Sequence, residues 1–162
     1  MDLNIKGRRA VITGSTAGIG WAIALRLAQE GAQVLVNGRT QAAVDRALQR
    51  IRDACPDAKV GGLAADLGTA EGCAAIAPQV AEAAILVNNL GIYEPGEFAQ
   101  TGDEVWQRFF EVNVMSGVRL SRTALPGMLA RNWGRIVFVS SESGINPPPE
   151  MVHYGMTKAA QL

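Results

Sequence analysis

At 162 residues, 48% hydrophobic and only 19% charged, the chain is long and apolar enough to bury one core, which excludes disorder as its main state. Fifteen basic against fifteen acidic residues leave no net charge, so no overall field steers it toward nucleic acid or an anionic membrane, and a small molecule is the expected partner. Cys55 and Cys73 make neither a disulfide framework nor a metal spacing, no apolar signal-like segment occupies residues 1–7, and no apolar run is long enough for a bilayer; the expectation is one soluble, cytoplasmic domain over 1–162.

Residues 9–13 form a short β-rich run that breaks at Gly14, and 19–30 is an alanine-rich helical stretch ending at Gly31. A second strand covers 33–37, after which Val44, Ala47, Leu48 and Ile51 recur on one helical face. Residues 59–65 predict a third strand, 69–83 a weaker helix, and 85–88 a fourth strand apolar enough to be buried on both faces. A long helix is predicted over 104–131 with a kink at Pro126, then a fifth strand over 135–140 and, beyond Pro147-Pro148-Pro149, a last helical segment. This alternation means parallel βαβ units in an α/β, three-layer, doubly wound sheet of the Rossmann type. Ligands of such sheets lie beyond the carboxyl ends of the strands, where Gly14, residues 37–39, Asp66, Asn88, Asn89 and Ser141 all fall.

Three glycines, Gly14, Gly18 and Gly20, stand between the first strand and first helix, together with Ser15, Thr16 and Ile19. Missing Cβ atoms there let backbone N–H groups approach a pyrophosphate at the helix N-terminus, although the spacing is not GxGxxG and a merely tight turn is the alternative. At the end of the second strand Asn37 and Gly38 occupy the place of a ribose-binding carboxylate, and Arg39 follows; a cation there suits a 2′-phosphate, or simply caps a surface loop. Asp66, followed by Leu67, suits an adenine amino group or a helix N-cap. Asn88 and Asn89 with Gly91 suit either a brace beside a cofactor or an Asn-rich turn.

Tyr154 and Lys158 are four residues apart, on one face of a helix. An unperturbed phenol, with a pKa of about 10, is a poor base at neutral pH, and a cation within about 4–6 Å favours its ionised form. Such a pair is also an ordinary surface contact. Ser141, thirteen residues before Tyr154, can meet a substrate oxygen or cap its loop, with Ser140 and Ser143 as competitors. Asn113 has no propensity reason to be within a helix, so its amide is expected to bond a freed carbonyl or hold a water. His153, the only histidine, reads as a loop or substrate-pocket residue, and Trp21, Trp106 and Trp133 as packing.

The ordered set Thr13-Gly14-x-x-x-Gly18-x-Gly20, Asp66, Asn88-Asn89-Leu90-Gly91, Asn113, Ser141 and Tyr154-x-x-x-Lys158 resembles the classical short-chain dehydrogenase/reductase family over essentially the whole chain. The resemblance implies an oxidoreductase that interconverts a secondary alcohol and a ketone, with 3-oxoacyl compounds as one candidate type, by direct hydride transfer from or to NADP(H), with NAD(H) the second choice. It implies Tyr154 as acid/base and Lys158 as the cation that tunes it and holds the nicotinamide ribose. Ser141 would orient the reacting oxygen, and Asn113 would anchor a water that relays protons from Lys158. Gly14, Ser15, Thr16, Gly18, Ile19, Gly20, Arg39, Asp66, Leu67, Asn89 and Gly91, with Tyr154 and Lys158, would contact the cofactor, no metal is implied, and a homodimer or homotetramer is expected.

Leu90 stands where alanine is usual, and Ala84 where an aspartate often opens the fourth strand. Family members continue past the tyrosine helix into two further strands, so a C-terminally incomplete domain with the fifth strand as an open sheet edge is expected. A non-catalytic dinucleotide-binding or interaction module is the opposing reading, and epimerisation or dehydration on the same scaffold a third.

Overall fold

The computed structural model describes residues 3–162; Met1 and Asp2, the start of the expected domain and of its N-terminal segment, lie outside the described residues. Five parallel strands, β1 (Arg9–Ile12), β2 (Gln33–Gly38), β3 (Val60–Ala64), β4 (Ile85–Asn88) and β5 (Arg135–Phe138), form one sheet in the order β3-β2-β1-β4-β5. The chain winds outward from β1 to β3, then returns to the other side of β1 with β4, pairing Ala10 with both Val34 and Ile85. This reversal opens a crevice beyond the carboxyl ends of β1 and β4, where open α/β sheets take their ligands.

Period-two alternation along the central strands divides the core between the two faces. Ala10, Ile12, Val34, Val36, Ile85 and Val87 pack on one side with α1 (Gly18–Gln29) and α2 (Gln41–Ala54). Val11 and Leu86 face the other side, against Val80, Leu120, Ala124 and Met128 of the helices there. Both faces are apolar because helices cover both, as a buried parallel sheet requires. The buried stripe of α2 is Val44, Ala47, Leu48 and Ile51, as its spacing predicts, and Thr40 caps it by accepting from the Ala43 N–H at 3.3 Å.

The weaker helix predicted over 69–83 is two short ones, α3 (Ala70–Ala75) and α4 (Ala77–Ala81). Pro78 is the physical reason: it lacks an N–H and its ring would crowd the carbonyl one turn back, so it sits in the first turn of α4 instead of inside a longer helix. The long helix over 104–131 is interrupted too. It comprises α5 (Asp103–Phe110), a π-helical turn at Glu111–Met115 and α6 (Ser116–Ala130), which continues through Pro126. The departure from α geometry thus falls around Asn113, whose side chain bonds Ile92 and Thr157 of neighbouring segments. β5 ends at Phe138, earlier than expected, and forms one edge of the sheet with Val137 exposed.

The last helix, α7 (Val152–Ala159), follows two single turns of 3-10 helix, Glu142–Gly144 and Pro149–Met151. The tryptophans do pack: Trp21 donates to the Ala47 carbonyl, Trp133 lies under the Arg8 guanidinium, and Trp106 meets Phe98 edge-on. Among the described residues no helix is long and apolar enough to cross a membrane, and no cluster of three or more His, Cys, Asp or Glu could hold a metal.

Candidate active site

The turn from β1 into α1 is held from below by side chains of the sheet. Asn37 accepts from the Gly14 N–H at 3.1 Å and donates to the Leu63 and Ala65 carbonyls, so it is buried as a brace and does not occupy a ribose-binding position. The Ser15 hydroxyl donates to the Ile12 carbonyl at 2.6 Å and accepts from the Asn37 N–H, while Asn89 donates to the carbonyls of Thr13 and Gly14. Ser15 and Asn89 therefore shape the cradle with their side chains already engaged.

Each glycine of the turn has its own reason. Gly14 and Gly18 have φ of +58° and +55°, a conformation that side chains disfavour, and a Cβ on Gly20 would run into the Asn89 amide and the Gly14 carbonyl. The N-terminus of α1 has no side-chain cap and no acidic residue in its first turn. Its free N–H groups and positive dipole end suit an anion.

Two cavities meet along the carboxyl edge of the sheet, sharing Gly91 and Ile92 in their walls. One, about 270 Å³, is bounded by Arg39, Asp66, Leu90 and Arg108. Arg39 is exposed there, and Asp66 accepts from the Gly68 N–H at 3.0 Å; the cap of α3 is Thr69, so the N-cap alternative for Asp66 is set aside. Leu67 is buried in the core, which leaves its backbone for any ligand. The other cavity, about 230 Å³, is bounded by Ile19, Tyr93, Val139, Tyr154 and Lys158. A larger hollow of about 410 Å³ lies at the opposite end of β5, lined by Leu125, Leu129 and Trp133, away from Tyr154 and Lys158.

Tyr154 and Lys158 do lie on one face of α7, with the Lys158 ammonium 5.5 Å from the centre of the Tyr154 ring. Lys158 is buried, and that burial pushes its pKa below the ordinary lysine value, since a desolvated ammonium is disfavoured. Its Nζ donates to the Val139 carbonyl at 2.8 Å and to Gln161 Oε1 at 3.0 Å. Asn113 ties three segments together. It accepts from the Ile92 N–H at 2.7 Å, and its amide donates to the Ile92 carbonyl and to the Thr157 hydroxyl, each at 3.0 Å. This joins the π turn, the segment after β4 and α7. A Cβ on Gly91 would stand 3.5 Å from Asn113 Oδ1 and 3.7 Å from Lys158 Nζ, so these groups converge at one wall of the cleft.

Of the competing serines, Ser140 donates to the Lys158 carbonyl at 2.9 Å, which occupies its proton. Ser141 accepts from the Ser143 N–H at 3.2 Å as a cap and keeps its own O–H for another acceptor. His153 is a buried helix residue rather than a loop one: Nε2 donates to the Glu94 carbonyl at 2.9 Å and the ring meets Phe109 edge-on at 4.5 Å. Sequence reasoning missed Thr157 and Gln161, although both share the turn of helix around Lys158 that the tyrosine–lysine spacing defines.

The family model for short chain dehydrogenase matches residues 8–162. The chain is 48% identical over its full length to the uncharacterized oxidoreductase YvaG of Bacillus subtilis, and 37% identical over 145 residues to a D-beta-hydroxybutyrate dehydrogenase of Cupriavidus necator. Among solved structures, the L-sorbose reductase of Gluconobacter frateurii complexed with NADPH and L-sorbose superposes with a TM-score of 0.93 over 99% of the chain at 38% identity. A 3-oxoacyl (acyl-carrier-protein) reductase of Agrobacterium tumefaciens with NADP bound gives 0.90 over 97% of the chain at 33% identity. The chain spans 61% of the length of YvaG and 62% of the sorbose reductase.

Proposed function

The chain belongs to the short-chain dehydrogenase family, and on that premise we propose that it serves an NADP(H)-dependent oxidoreductase which interconverts a secondary alcohol and a ketone. The observation that carries the reading is the Tyr154–Lys158 pair on the cleft wall, at the same strand ends as the uncapped N-terminus of α1. The residues fit a dinucleotide. Gly14, Thr16, Gly18, Ile19 and Gly20 would take the pyrophosphate on backbone N–H groups, Arg39 a 2′-phosphate, Asp66 and the Leu67 backbone the adenine, and Gly91 the ribose beside it. Ser15 and Asn89 would hold that cradle in shape. A bound nicotinamide supplies or accepts the hydride.

The chain's own residues handle the proton and the geometry. In reduction Tyr154 gives its phenolic proton to the carbonyl oxygen, and in oxidation it takes the proton back. The Lys158 cation stabilises negative charge on the phenol oxygen, the uncommitted O–H of Ser141 holds the reacting oxygen, and Asn113 keeps α7 in register with the segment after β4. Ketones of 3-oxoacyl type are the first substrates to try, given the name of one solved relative. A homodimer or homotetramer and a cytoplasmic setting belong to the same reading.

The test is a titration of the purified chain with NADPH and, separately, NADH, followed by nucleotide fluorescence while circular dichroism monitors folding, and then ketone-dependent loss of NADPH absorbance. Saturable, NADPH-selective binding with turnover is expected. A folded chain that binds neither nucleotide overturns the reading, and binding without turnover would make the chain a dinucleotide-binding module.

A further inference from the structure

Both tyrosines of the chain, Tyr93 and Tyr154, stand in the wall of the cavity of about 230 Å³. Tyr154 comes from α7 and Tyr93 from the segment after β4, whose backbone is tied down on each side of it. Asn113 holds Ile92 by both its N–H, at 2.7 Å, and its carbonyl, at 3.0 Å. On the other side His153 of α7 donates from Nε2 to the Glu94 carbonyl at 2.9 Å, and the Gly96 N–H donates to the Glu150 carbonyl at 2.8 Å in the turn that leads into α7. A residue pinned through both neighbours has a fixed backbone, and its side chain is confined to the few rotamers which that backbone allows. The backbone is thus committed, and the ring is what Tyr93 presents to the cavity.

The rest of the wall narrows the chemistry. Ile19, Ile92 and Val139 are aliphatic, and the one cation among the described lining residues, Lys158, is already bonded to the Val139 carbonyl and to Gln161. Ile19 belongs to the glycine turn, the side that the proposed function gives to the dinucleotide, which leaves the Tyr93 side for the ketone. An aromatic ring gains more from a second ring, edge-on or offset, than area burial alone supplies. A charged substituent would lose its water against aliphatic walls. We propose that Tyr93 is a specificity-determining residue whose ring forms the substrate wall of the cleft, and that the group it selects beside the carbonyl is an uncharged aromatic ring, as in an aryl ketone. The inference rests on the proposed function of this cleft.

With two tyrosines in the chain, ring-labelled tyrosine gives two sets of NMR signals, and Tyr93→Phe assigns them. The purified chain in the presence of NADP⁺ is titrated with acetophenone and, separately, with acetone. Ketone and NADP⁺ are both oxidised, so no hydride moves and binding is read without turnover. Acetophenone should shift the Tyr93 and Tyr154 signals together, whereas acetone should leave Tyr93 unmoved. In Tyr93→Leu the remaining Tyr154 signal should report acetophenone binding about three- to ten-fold weaker, with Tyr93→Phe close to the parent and acetone unaffected in both. Tyr93 signals that stay still under acetophenone, or a Tyr93→Leu variant that weakens both ketones alike or neither, would overturn the proposal. Should Tyr93→Leu fail to fold, the parent titration decides alone through the same Tyr93 signals. NADPH binding without a response to acetophenone sinks the substrate class and leaves the proposed function standing. Absence of nucleotide binding counts against the proposed function instead, and the unloaded chain is then titrated in the same way, with the same two outcomes for Tyr93.

Discussion

The two ends of the cleft are built in different ways. At the glycine turn, Thr13, Ser15, Asn37 and Asn89 spend their side chains on backbone groups of the strands and their immediate loops, so the cradle is an extension of the sheet. At the tyrosine end, α7 is joined to the rest through side chains on helices and loops: Asn113 from the π turn, Thr157, Ser140 and Gln161. A fault at the first end disturbs ladder geometry and binding together. A fault at the second changes chemistry while the sheet and its two core faces persist.

Tyr154→Phe is the sharpest way to separate them. It keeps the ring and removes the proton, so turnover should fall by about 10²–10⁴-fold while NADPH affinity and thermal unfolding stay close to the parent. Ketone reduction that survives the substitution would remove Tyr154 from its acid/base role. The opposite pattern is expected at the turn. In Gly20→Ala the new methyl meets the Asn89 amide and the Gly14 carbonyl, neither of which is the free end of a flexible side chain. A loss of about 1–3 kcal/mol in urea unfolding should accompany weakened NADPH binding. If the variant were as stable as the parent, the coupling of this turn to the sheet would be wrong.

Arg39 offers a smaller contrast inside the cofactor half, since it is exposed and the turn does not depend on it. Arg39→Asp should cut the preference for NADPH over NADH by about 10–100-fold, the size of one charge-assisted hydrogen bond. An unchanged ratio of the two dissociation constants would assign Arg39 to the surface.

Legibility followed the same division. The strand at Ile85–Asn88, the buried stripe of α2 and the glycine turn could be read because local pattern and tertiary role agree there. Asn37 stands at a strand end, where a ligand-facing residue is expected, but its amide points back to the turn; only the fold decides which way that side chain goes. The π turn was illegible for a related reason. It coincides with Asn113 meeting Ile92 and Thr157, which are 21 and 44 residues away in sequence. The break before α4 is legible in Pro78, whose missing N–H confines it to a first helical turn. Gln161 carries no motif at all, and its contact exists only because α7 brings it under the Asn113 carbonyl.

The smallest effect concerns Lys158 itself, and it tests whether the tyrosine end holds a charge at the cost of stability. Burial lowers the Lys158 pKa in the folded chain below the ordinary lysine value of 10.5, so the folded state binds this proton less tightly than the unfolded state does. Below the folded value both states are protonated and the burial penalty is present in full. As pH rises from there toward 10.5, the folded chain releases the proton first, and stability gains with pH across that window. Lys158→Met lacks the group, and its unpaired Val139 carbonyl adds an offset that does not depend on pH. Urea unfolding of both proteins at a series of alkaline pH values should therefore show the parent gaining on the variant as pH rises. A difference that stays flat, or that moves the other way, would mean that the Val139 and Gln161 oxygens compensate the ammonium fully for its loss of water.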